Sequence, residues 1–433
     1  MRKRLKVLTV GCKANFADSA SVVRLAAAKG FEIVPSHTPA DVVIINSCTV
    51  THRADRDSRS RARRARRENP GASIVLTGCY AQMSGRERER VPEVDYWVGT
   101  GPGEAPAHEG GSLAAVLEEI SGNSLRGGAI LSDHAADLLL GHRRTYLKIQ
   151  DGCDFSCAYC VVPLARGRNR SVPEAEIVAR ATAAERDGAR ELVLTGIHIG
   201  GYGADGARKD ALPALVTRLL RETSLVRIRL SSVEPGEVTG RLIDTMAGGS
   251  RVCAHLHVPL QSGCDRTLLR MKRPYLSAGY REIVSGAAAR IPGLSLGADV
   301  MVGFPGETRE DFEETVLFLR DIPAAYLHVF PYSARPGTES ARLPDDVSSA
   351  EKKRRTSLLL SEDARMRAAF LARQVGTTVD VLAEAVNREE GMLVGRSGNF
   401  AEVVFPCSPS GIGEIHRVGV KTVRGGKLFG TPV

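Results

Sequence analysis

Three cysteines near the middle of the chain, Cys153, Cys157 and Cys160, have the spacing C-x3-C-x2-C. They directly follow an apolar run typical of a strand, Tyr146–Gln150. Three thiolates on so short a loop can hold three corners of a cubane iron–sulfur cluster and leave the fourth iron open to a small chelating ligand. A zinc site would need a fourth ligand, and neither a second C-x2-C nor a pair of histidines follows at a suitable distance. The spacing therefore predicts an iron–sulfur cluster.

A second set of three cysteines, Cys12, Cys48 and Cys79, is spread over the first 100 residues. Each comes just after a predicted strand: Val7–Val10, Asp41–Asn46 and Ser73–Thr77. In open α/β sheets, ligands bind at the carboxyl ends of the strands, so three thiols at that edge can meet at one point. They could hold a second cluster, again with three protein ligands. Three ordinary buried thiols would give the same pattern, and spacing alone leaves both interpretations open.

The elements that must position this second set alternate between strand and helix over residues 1–100. Helical patterns at Ser19–Lys29 and Arg53–Glu68 separate the predicted strands, which indicates an open α/β domain with a parallel sheet. Residues 101–142 are Gly-rich and irregular at both ends, and they carry one Lys or Arg against six Asp and Glu. We expect this stretch to be a linker.

Residues 143–335 repeat the alternation about six times, which predicts a partial (β/α)6 barrel, smaller than the closed eight-unit barrel. The predicted strands are Tyr146–Gln150, Glu191–Thr195, Val226–Ser231, His255–Leu260, Leu296–Val302 and Ala325–Phe330. The predicted helices include Glu174–Asp187, Ala211–Glu222, Pro235–Met246, Ser277–Arg290 and Arg309–Arg320. The first cysteine set follows the first strand, on the face where such barrels carry their active sites.

Glycines and polar residues follow the other strands of this predicted barrel. They are Gly196, Ser232, Glu234, Gln261, Gly303, Gly306 and Tyr332. Glycine lets a backbone approach a ligand closely, and the hydroxyl, carboxylate and amide groups could bond a ribose or an amino acid. Each residue alone could equally be a turn glycine or a helix cap. All the strand ends together favour a binding site.

The C-terminal part of the chain changes pattern twice. Residues 336–373 are predicted to be a linker and a helix, Val347–Arg373, with a basic patch that includes Lys352 and Lys353. Residues 374–433 contain about five short alternating strands, which predicts a small all-β barrel of the OB-like type. Such barrels often bind RNA. This segment carries six Lys and Arg against six Asp and Glu, so its net charge gives no support to RNA binding.

The net charge of +9 lies mostly in residues 1–100, which carry 18 Lys and Arg against 10 Asp and Glu. The predicted helix in that domain supplies the candidate contacts to RNA: Arg59, Arg61, Arg63, Arg64, Arg66 and Arg67. Guanidinium groups pair well with phosphate, so this excess indicates a polyanionic partner such as RNA. A solvated helix face is the alternative.

Composition excludes several other classes of protein. Hydrophobic content of 43% and charged content of 25% are typical of a globular chain, and no apolar run reaches membrane-spanning length. The basic N-terminus leads into a short strand-like run and not into a signal peptide. Nine cysteines, an odd number with iron–sulfur spacing, favour a reducing cytoplasm over a disulfide framework.

The C-x3-C-x2-C loop, with Tyr159 just before its last cysteine, resembles the signature of radical S-adenosylmethionine (SAM) enzymes. Five further motifs extend the resemblance to the radical-SAM methylthiotransferases over nearly the whole chain: Gly11–Asn15, Asn46–Val50, Thr77–Gln82, Pro259–Gly263 and Val302–Thr308. That family has an N-terminal domain with three cysteines, a radical-SAM barrel and a C-terminal barrel called TRAM. Phe16–Asp18, after the first motif, departs from the family's usual sequence.

The resemblance implies two [4Fe–4S] clusters and two molecules of SAM per turnover. Cys153, Cys157 and Cys160 would hold the radical-generating cluster. Cys12, Cys48 and Cys79 would hold the auxiliary cluster that presents the sulfur. Tyr159 and the strand-end residues given above would bind SAM. One SAM would methylate the sulfur, and the second would yield the 5′-deoxyadenosyl radical that attacks the substrate. Three cysteines fit neither cluster and are predicted to be structural: Cys253, Cys264 and Cys407.

Members of the family differ in substrate, and four motifs are most similar to the enzymes that act on N6-threonylcarbamoyladenosine in tRNA: Ile149–Cys153, Leu194–Gly200, Leu230–Pro235 and His328–Ser333. The implied product carries a methylthio group at C2 of adenosine 37, beside the anticodon. The implied partners are tRNA and an electron donor such as flavodoxin or ferredoxin. Isopentenyladenosine in tRNA and an aspartate of a ribosomal protein are the alternative substrates. A non-catalytic iron–sulfur protein that binds RNA is a further alternative.

Overall fold

The computed structural model describes residues 2–87, 91–100, 112–122, 128–206, 208, 210–249, 251–387 and 391–433. Its first elements are β1 (Arg4–Thr9), α1 (Lys13–Ala28), β2 (Glu32–Ile33), β3 (Val42–Ser47), α2 (His52–Glu68), β4 (Ser73–Gly78), α3 (Cys79–Glu87) and β5 (Tyr96–Val98). The strands form a parallel sheet in the order β2-β1-β3-β4-β5. This is the open α/β domain that the alternation predicted.

The central strand of this sheet accounts for its layered packing. All six residues of β3 are buried, and a continuous apolar run suits a parallel strand with helices on both faces. On one face Ile44 packs in a cluster with Ala20 and Val23 of α1. On the other face Ile45 packs with small residues of α2, including Ala62. Because α2 buries small side chains, its arginines are left on the outer side.

In its described residues, 112–122 and 128–142, the segment predicted to be a linker contains the helices α4 (Leu113–Ser121) and α5 (Asp133–Leu139). Leu113, Val116, Leu117 and Ile120 recur at helical spacing and pack in the same core cluster as β1 and β3. Ser112 caps α4 by accepting a hydrogen bond from the Ala115 amide. The segment therefore adds to the core of the first domain, because a short amphipathic pattern lies between its irregular, Gly-rich ends.

The middle of the chain forms a six-unit partial barrel. Its strands are β6 (Thr145–Lys148), β7 (Gln150–Asp151), β8 (Arg170–Ser171), β9 (Glu191–Thr195), β10 (Arg227–Leu230), β11 (His255–His257), β12 (Ser295–Val302) and β13 (Tyr326–Pro331). Its helices are α6 (Val162–Arg166), α7 (Glu174–Arg186), α8 (Ala211–Glu222), α9 (Gly240–Ala247), α10 (Asp265–Arg270), α11 (Ser277–Arg290) and α12 (Arg309–Asp321). β7 and β8 pair as a short antiparallel ribbon outside the barrel wall.

The barrel wall is parallel and follows chain order. β6, β9 and β10 form one three-stranded sheet, β11, β12 and β13 form a second, and bridges from Ile228 to Val252 and from Ser232 to His257 join them. The wall is therefore open between β6 and β13. α1 of the first domain packs at the β6 edge, where Phe16 lies 5.3 Å, ring to ring, from Tyr146.

A long helix, α13 (Ser349–Ala372), leads to the C-terminal barrel. The five strands of that barrel are β14 (Thr378–Asn387), β15 (Met392–Ser397), β16 (Glu402–Phe405), β17 (Ile415–Arg424) and β18 (Lys427–Pro432). They close in the order β14-β15-β16-β18-β17. The predicted fold class, with two α/β units and a small closed β-barrel, is confirmed. Among the described residues, no helix has both the length and the apolarity to cross a membrane.

A buried ion cluster fixes the small barrel to the partial barrel. Glu191 of β9 accepts from Arg227 Nε at 2.6 Å and from Arg229 Nε at 2.7 Å, and all three side chains are almost fully buried. The remaining guanidinium donors bond backbone carbonyls of the small barrel, at Asp380, Arg396, Ser397 and Gly398. Burial opposes the charge of Glu191, but the two guanidiniums hold its pKa far below its ordinary value.

Replacing Glu191 by Gln should lower the free energy of unfolding by about 3–5 kcal/mol, because it leaves two buried guanidiniums without their counter-charge. Denaturant unfolding of the iron-free chain measures this change. Limited proteolysis should also release the C-terminal barrel earlier. Glu282→Gln on the exposed surface of α11 is the control. Equal stability of the two variants would show that Glu191 does not hold this interface.

Candidate functional site

The first cysteine set occupies the loop between β7 and α6. Gly152, with φ of +72°, begins the loop, and a Cβ there would lie 1.9 Å from the Arg168 carbonyl oxygen, so only glycine fits. The Cys160 amide donates to the Cys157 carbonyl at 3.0 Å, which closes a tight turn. Burial raises the pKa of Cys160 to about 12, so this thiol needs a metal or a cation to become a thiolate.

Arg273 is the cation beside this loop. Its Nη1 donates to Cys157 Sγ at 3.0 Å and to the Tyr159 hydroxyl at 3.4 Å, and its Nη2 forms an ion pair with Glu234. Its Nε donates to the Tyr275 hydroxyl at 3.0 Å. Burial raises the pKa of Cys157, and Arg273 opposes that effect. Arg273 therefore joins a cysteine, the aromatic residue of the motif and a predicted SAM residue in one network.

His198 lies on the opposite side of the loop. Its Nδ1 is 3.8 Å from Cys153 Sγ, and its Nε2 is 2.6 Å from Glu237 Oε1. Burial disfavours the imidazolium, but the bonds to Cys153 and Glu237 outweigh burial and raise the pKa of His198 to about 10. The cysteine loop is thus flanked by two positive groups, which suits a site that must hold thiolates.

A cavity of about 440 Å³ opens above this loop. All three cysteines border it, together with four of the predicted SAM residues: Tyr159, Glu234, Gln261 and Tyr332. Asp299 and Met301 of β12 border it as well. Gln261 has φ of +66°, which is uncommon for a residue with a side chain, and its buried Oε1 has no hydrogen-bond partner among the described residues. An unpaired buried acceptor that borders a cavity suits a ligand with a donor group.

The structure places the other predicted SAM residues away from the cavity lining. A Cβ on Gly303 would lie 2.4 Å from Lys352 Cγ, one on Gly306 would lie 2.2 Å from Arg270 Nη2, and one on Gly196 would lie 2.6 Å from the Gln150 carbonyl. These glycines admit neighbouring protein groups. Ser232 is exposed at the end of β10. Of the residues predicted to bind SAM, only Tyr159, Glu234, Gln261 and Tyr332 therefore border the cavity.

The second cysteine set meets at the carboxyl edge of the first sheet. Gly11 and Gly78 have φ of +116° and +97°, and a Cβ on Gly11 would lie 2.8 Å from Cys48 Cβ. Cys12 follows the first glycine and Cys79 the second. Burial raises the pKa of Cys48 to about 12, and the charges of the other two thiols contribute to the rise, which places all three within electrostatic range. Three converging thiols on glycine turns fit an iron–sulfur cluster.

Arg166, at the end of α6, connects the second set to the barrel. Its Nε donates to Cys79 Sγ at 3.1 Å, and its Nη2 donates to Asn15 Oδ1 and Asp18 Oδ2, both at 2.8 Å. Its Nη1 donates to Asp151 Oδ1 at 3.1 Å, two residues before the first cysteine of the barrel loop. The guanidinium is 1% exposed, so this is a buried contact between the two domains.

The two cysteine sets therefore lie on either side of α6. Cys79 packs in an apolar cluster with Val161, the residue after Cys160, and with Ala165. Val50 and Thr51, which follow Cys48, border the same cavity as the barrel cysteines. One cavity is thus reached from both sets.

The basic residues of α2 are divided between solvent and internal contacts. Arg61, Arg63, Arg64 and Arg67 are exposed, although Arg64 pairs with Glu68. Two further arginines among the predicted RNA contacts bond protein groups. Arg59 donates to the Tyr80 hydroxyl at 3.3 Å, and Arg66 pairs with Asp95 at 2.7 Å.

α2 begins at the rim of the cavity. There the His52 amide donates to Ser333 Oγ at 3.2 Å, and Ser333 borders the cavity. On α13, Lys353 is exposed, but Lys352 is buried and pairs with Asp345, so its ammonium does not face solvent.

Sequence reasoning missed Arg166, Arg273 and His198 as residues of the site. Lone basic residues carry no spacing signal, and only the fold brings them beside cysteines. Cys253, Cys264 and Cys407 lie outside both cysteine sets. Cys264 Sγ donates to Asp311 Oδ1 at 3.4 Å, and Cys407 packs in the core of the small barrel.

Comparison with known families matches the three parts of the chain separately. Residues 4–99 match the uncharacterized protein family UPF0004, residues 147–319 match the radical SAM superfamily, and residues 372–433 match the TRAM domain.

Curated relatives span nearly the whole chain. The chain is 35% identical over 416 residues to threonylcarbamoyladenosine tRNA methylthiotransferase MtaB of Bacillus subtilis, covering 95% of this chain and 92% of the relative. Its identity to MtaB of Aquifex aeolicus is 36%, over 88% of this chain and 92% of the relative. It is also 32% identical to the tRNA-2-methylthio-N6-dimethylallyladenosine synthase of Endomicrobium trichonymphae, over 98% of each chain.

Among solved structures, the fold is similar to that of the radical S-adenosylmethionine methyltransferase TsrM from Kitasatospora setae with cobalamin and a [4Fe–4S] cluster bound. The TM-score is 0.53, the identity is 16%, and the match covers 78% of this chain and 77% of that one. At this identity the likeness concerns the fold alone.

Replacing Arg166 by Met should loosen the contact between the first domain and the barrel. Asp18 and Asp151 would keep only Lys148 as a cationic partner among the described residues, so we expect a loss of about 3–5 kcal/mol in the free energy of unfolding of the iron-free chain. Hydrogen exchange should rise at α1 and at the loop after β6. The matched control is Arg168→Met, whose side chain is 89% exposed. Equal exchange in the two variants would contradict the role of Arg166.

Proposed function

The chain belongs to the radical-SAM methylthiotransferase family, and from that premise we propose that it attaches a methylthio group to C2 of N6-threonylcarbamoyladenosine at position 37 of tRNA. The acceptor is an aromatic C–H, which is not acidic enough for a side-chain base. Bound cofactors therefore supply the difficult step, and the protein supplies binding and position.

The proposal is carried by one cavity that three cysteines border and that two residues close in the chain to Cys48, of the second set, border from the first domain. Cys153, Cys157 and Cys160 border the cavity directly, and Val50 beside Cys48 borders it from the first domain. A radical enzyme that also donates sulfur needs both sites next to one substrate. An enzyme with one cluster would not use the second set of cysteines.

The residues present fit two [4Fe–4S] clusters with three protein ligands each. When bound, the barrel cluster with SAM supplies a 5′-deoxyadenosyl radical, and the auxiliary cluster supplies the sulfur that a second SAM methylates. Arg273 and His198 hold positive charge beside the barrel cysteines, and Arg166 does the same beside Cys79. We expect Tyr159, Glu234, Gln261 and Tyr332, which border the cavity, to bind SAM.

The surface around the cavity is suited to RNA. α2 begins at the rim and carries the exposed residues Arg61, Arg63 and Arg67 away from it. Exposed guanidinium groups in a row attract phosphates and steer a polyanion toward the cavity mouth. We expect an electron donor such as flavodoxin or ferredoxin to reduce the barrel cluster.

The substrate is supported by the motifs quoted above and by the MtaB relatives, at 35% and 36% identity. The synthases that act on dimethylallyladenosine are nearly as similar, at 32%, so that nucleoside is the main alternative. A ribosomal-protein aspartate is a weaker alternative, and so is a binding role without catalysis.

Deleting the gene should remove 2-methylthio-N6-threonylcarbamoyladenosine from cellular tRNA, and expressing this chain should restore it. Mass spectrometry of digested tRNA nucleosides measures both changes. The methylthio-dimethylallyl nucleoside is the internal control and should not change. If that nucleoside disappears instead, the substrate assignment is wrong. If neither changes, tRNA is not the substrate.

Replacing Cys153, Cys157 and Cys160 by Ala, or Cys12, Cys48 and Cys79 by Ala, should each lower the iron content of the anaerobically reconstituted chain by about half. Only the first triple variant should lose formation of 5′-deoxyadenosine from SAM, because only that set holds the open iron. Cys407→Ser is the control and should keep all its iron. Unchanged iron in the second triple variant would remove the auxiliary cluster from the proposal.

A further inference from the structure

In the part of the chain that the structure describes, the ammonium group of Lys13 has no counter-charge. Lys13, the first residue of α1, extends toward the open side of the partial barrel, and its Nζ lies 5.7 Å from the centroid of the Phe400 ring. Among the described residues, it forms no hydrogen bond and no ion pair. A cation enclosed in protein without a counter-charge is costly, so its retention here points to an anion that the ligand brings.

The neighbouring charges cannot serve as that partner. Arg229 and Arg144 repel Lys13, and the nearby carboxylates are already engaged. Glu191 is held by Arg227 and Arg229, and Asp299 accepts from His257 and His328. Arg144 pairs with Glu384 of the small barrel. The surplus positive charge at this place is that of Lys13.

Lys13 lies close to residues that border two different cavities. It follows Cys12 directly in the chain. Asp299, one of the charges nearest to it, borders the cavity above the barrel cysteines. On its other side, Phe400 borders a second cavity of about 380 Å³ between β13, α13 and the small barrel. His328 borders this second cavity and touches Asp299 at 3.3 Å, so one hydrogen-bonded pair separates the two spaces.

The chemistry of the substrate matches this placement. In adenine, C2 and N6 lie on the same edge of the ring, on either side of N1. A base with C2 turned toward the cysteines of the first domain therefore directs its N6 substituent to the same neighbourhood. The threonylcarbamoyl substituent ends in a carboxylate, whereas a dimethylallyl substituent is apolar and would leave the ammonium unpaired.

We propose that Lys13 binds the carboxylate of the N6-threonylcarbamoyl group and so selects this substrate over adenosines with an apolar N6 substituent. The inference rests on the proposed function and adds to it the residue that distinguishes the two tRNA substrates. Lys13 acts as a specificity residue that binds the substrate, and the chemistry at C2 does not pass through it.

The test uses the cluster-loaded full chain, with SAM, and three anticodon stem-loops. They carry adenosine, N6-threonylcarbamoyladenosine or its methyl ester at position 37. The wild type should bind the acid about 10- to 100-fold more tightly than the ester, as expected for a charged hydrogen bond. Lys13→Met should bind the acid and the ester equally, while its affinity for the ester and for plain adenosine stays at the wild-type value. Lys13→Arg should keep part of the preference.

The matched control is Lys29→Met at the other end of α1, where the ammonium pairs with Glu118, and it should keep the full preference. If Lys13→Met weakens all three stem-loops alike, the anion is a backbone phosphate and the proposal is wrong. If it changes none, Lys13 does not meet the substrate. Iron content verifies that the variant keeps its clusters. If Lys13→Met loses its clusters, the wild type is compared on the acid and ester stem-loops instead. Equal wild-type affinity for the two would overturn the proposal.

These outcomes separate the inference from the proposed function. Wild-type methylthiolation of a dimethylallyladenosine stem-loop, without any on the threonylcarbamoyl one, would refute the function itself. Methylthiolation of the threonylcarbamoyl stem-loop with no loss of preference in Lys13→Met would refute only the role of Lys13.

Discussion

The buried guanidinium of Arg166 is the contact on which the two-domain site depends. It bonds Cys79, Asn15 and Asp18 in the first domain and Asp151 in the barrel, and Lys148 adds a second cation to the same carboxylates. Removing one member of such a network leaves buried charges unpaired, and an incomplete network therefore destabilises the folded protein. It fixes the distance and orientation between two cysteine sets that belong to different domains.

Charge is used in two different ways around the barrel. At the amino ends of the strands, Glu191 with Arg227 and Arg229 is saturated and holds the small barrel in place. Near the carboxyl ends, Arg273 and His198 lie beside cysteines and remain available to ligands. Lys13 lies beside Phe400, whose ring Arg229 also contacts, and among the described residues it has no ion-pair partner. The paired charges thus hold the domains together, and the charges that are unpaired or face thiols lie where we expect cofactors and substrate to bind.

The open side of the barrel lets groups of the other two domains enter its interior. The wall ends at β6 and β13, and α1 of the first domain packs at the β6 edge. Lys13 at the start of α1 and Phe400 of the small barrel meet there, with Lys13 Nζ 5.7 Å from the ring centroid. A closed wall would exclude α1 from this position.

Most of the helices and strands and the family could be predicted from the sequence, because hydrophobic period and cysteine spacing are local properties of the chain. The predicted strands Glu191–Thr195 and helices Ala211–Glu222 and Ser277–Arg290 agree with the structure to the residue. The charge partners could be found only from the folded structure, since they join residues as far apart as Arg166 and Asp18, which are 148 positions apart. The fold also buries Lys352 and leaves Lys13 without an ion-pair partner among the described residues. Hydrophobic periodicity does not predict which cation pairs with which carboxylate, because the pairing depends on how whole domains pack together.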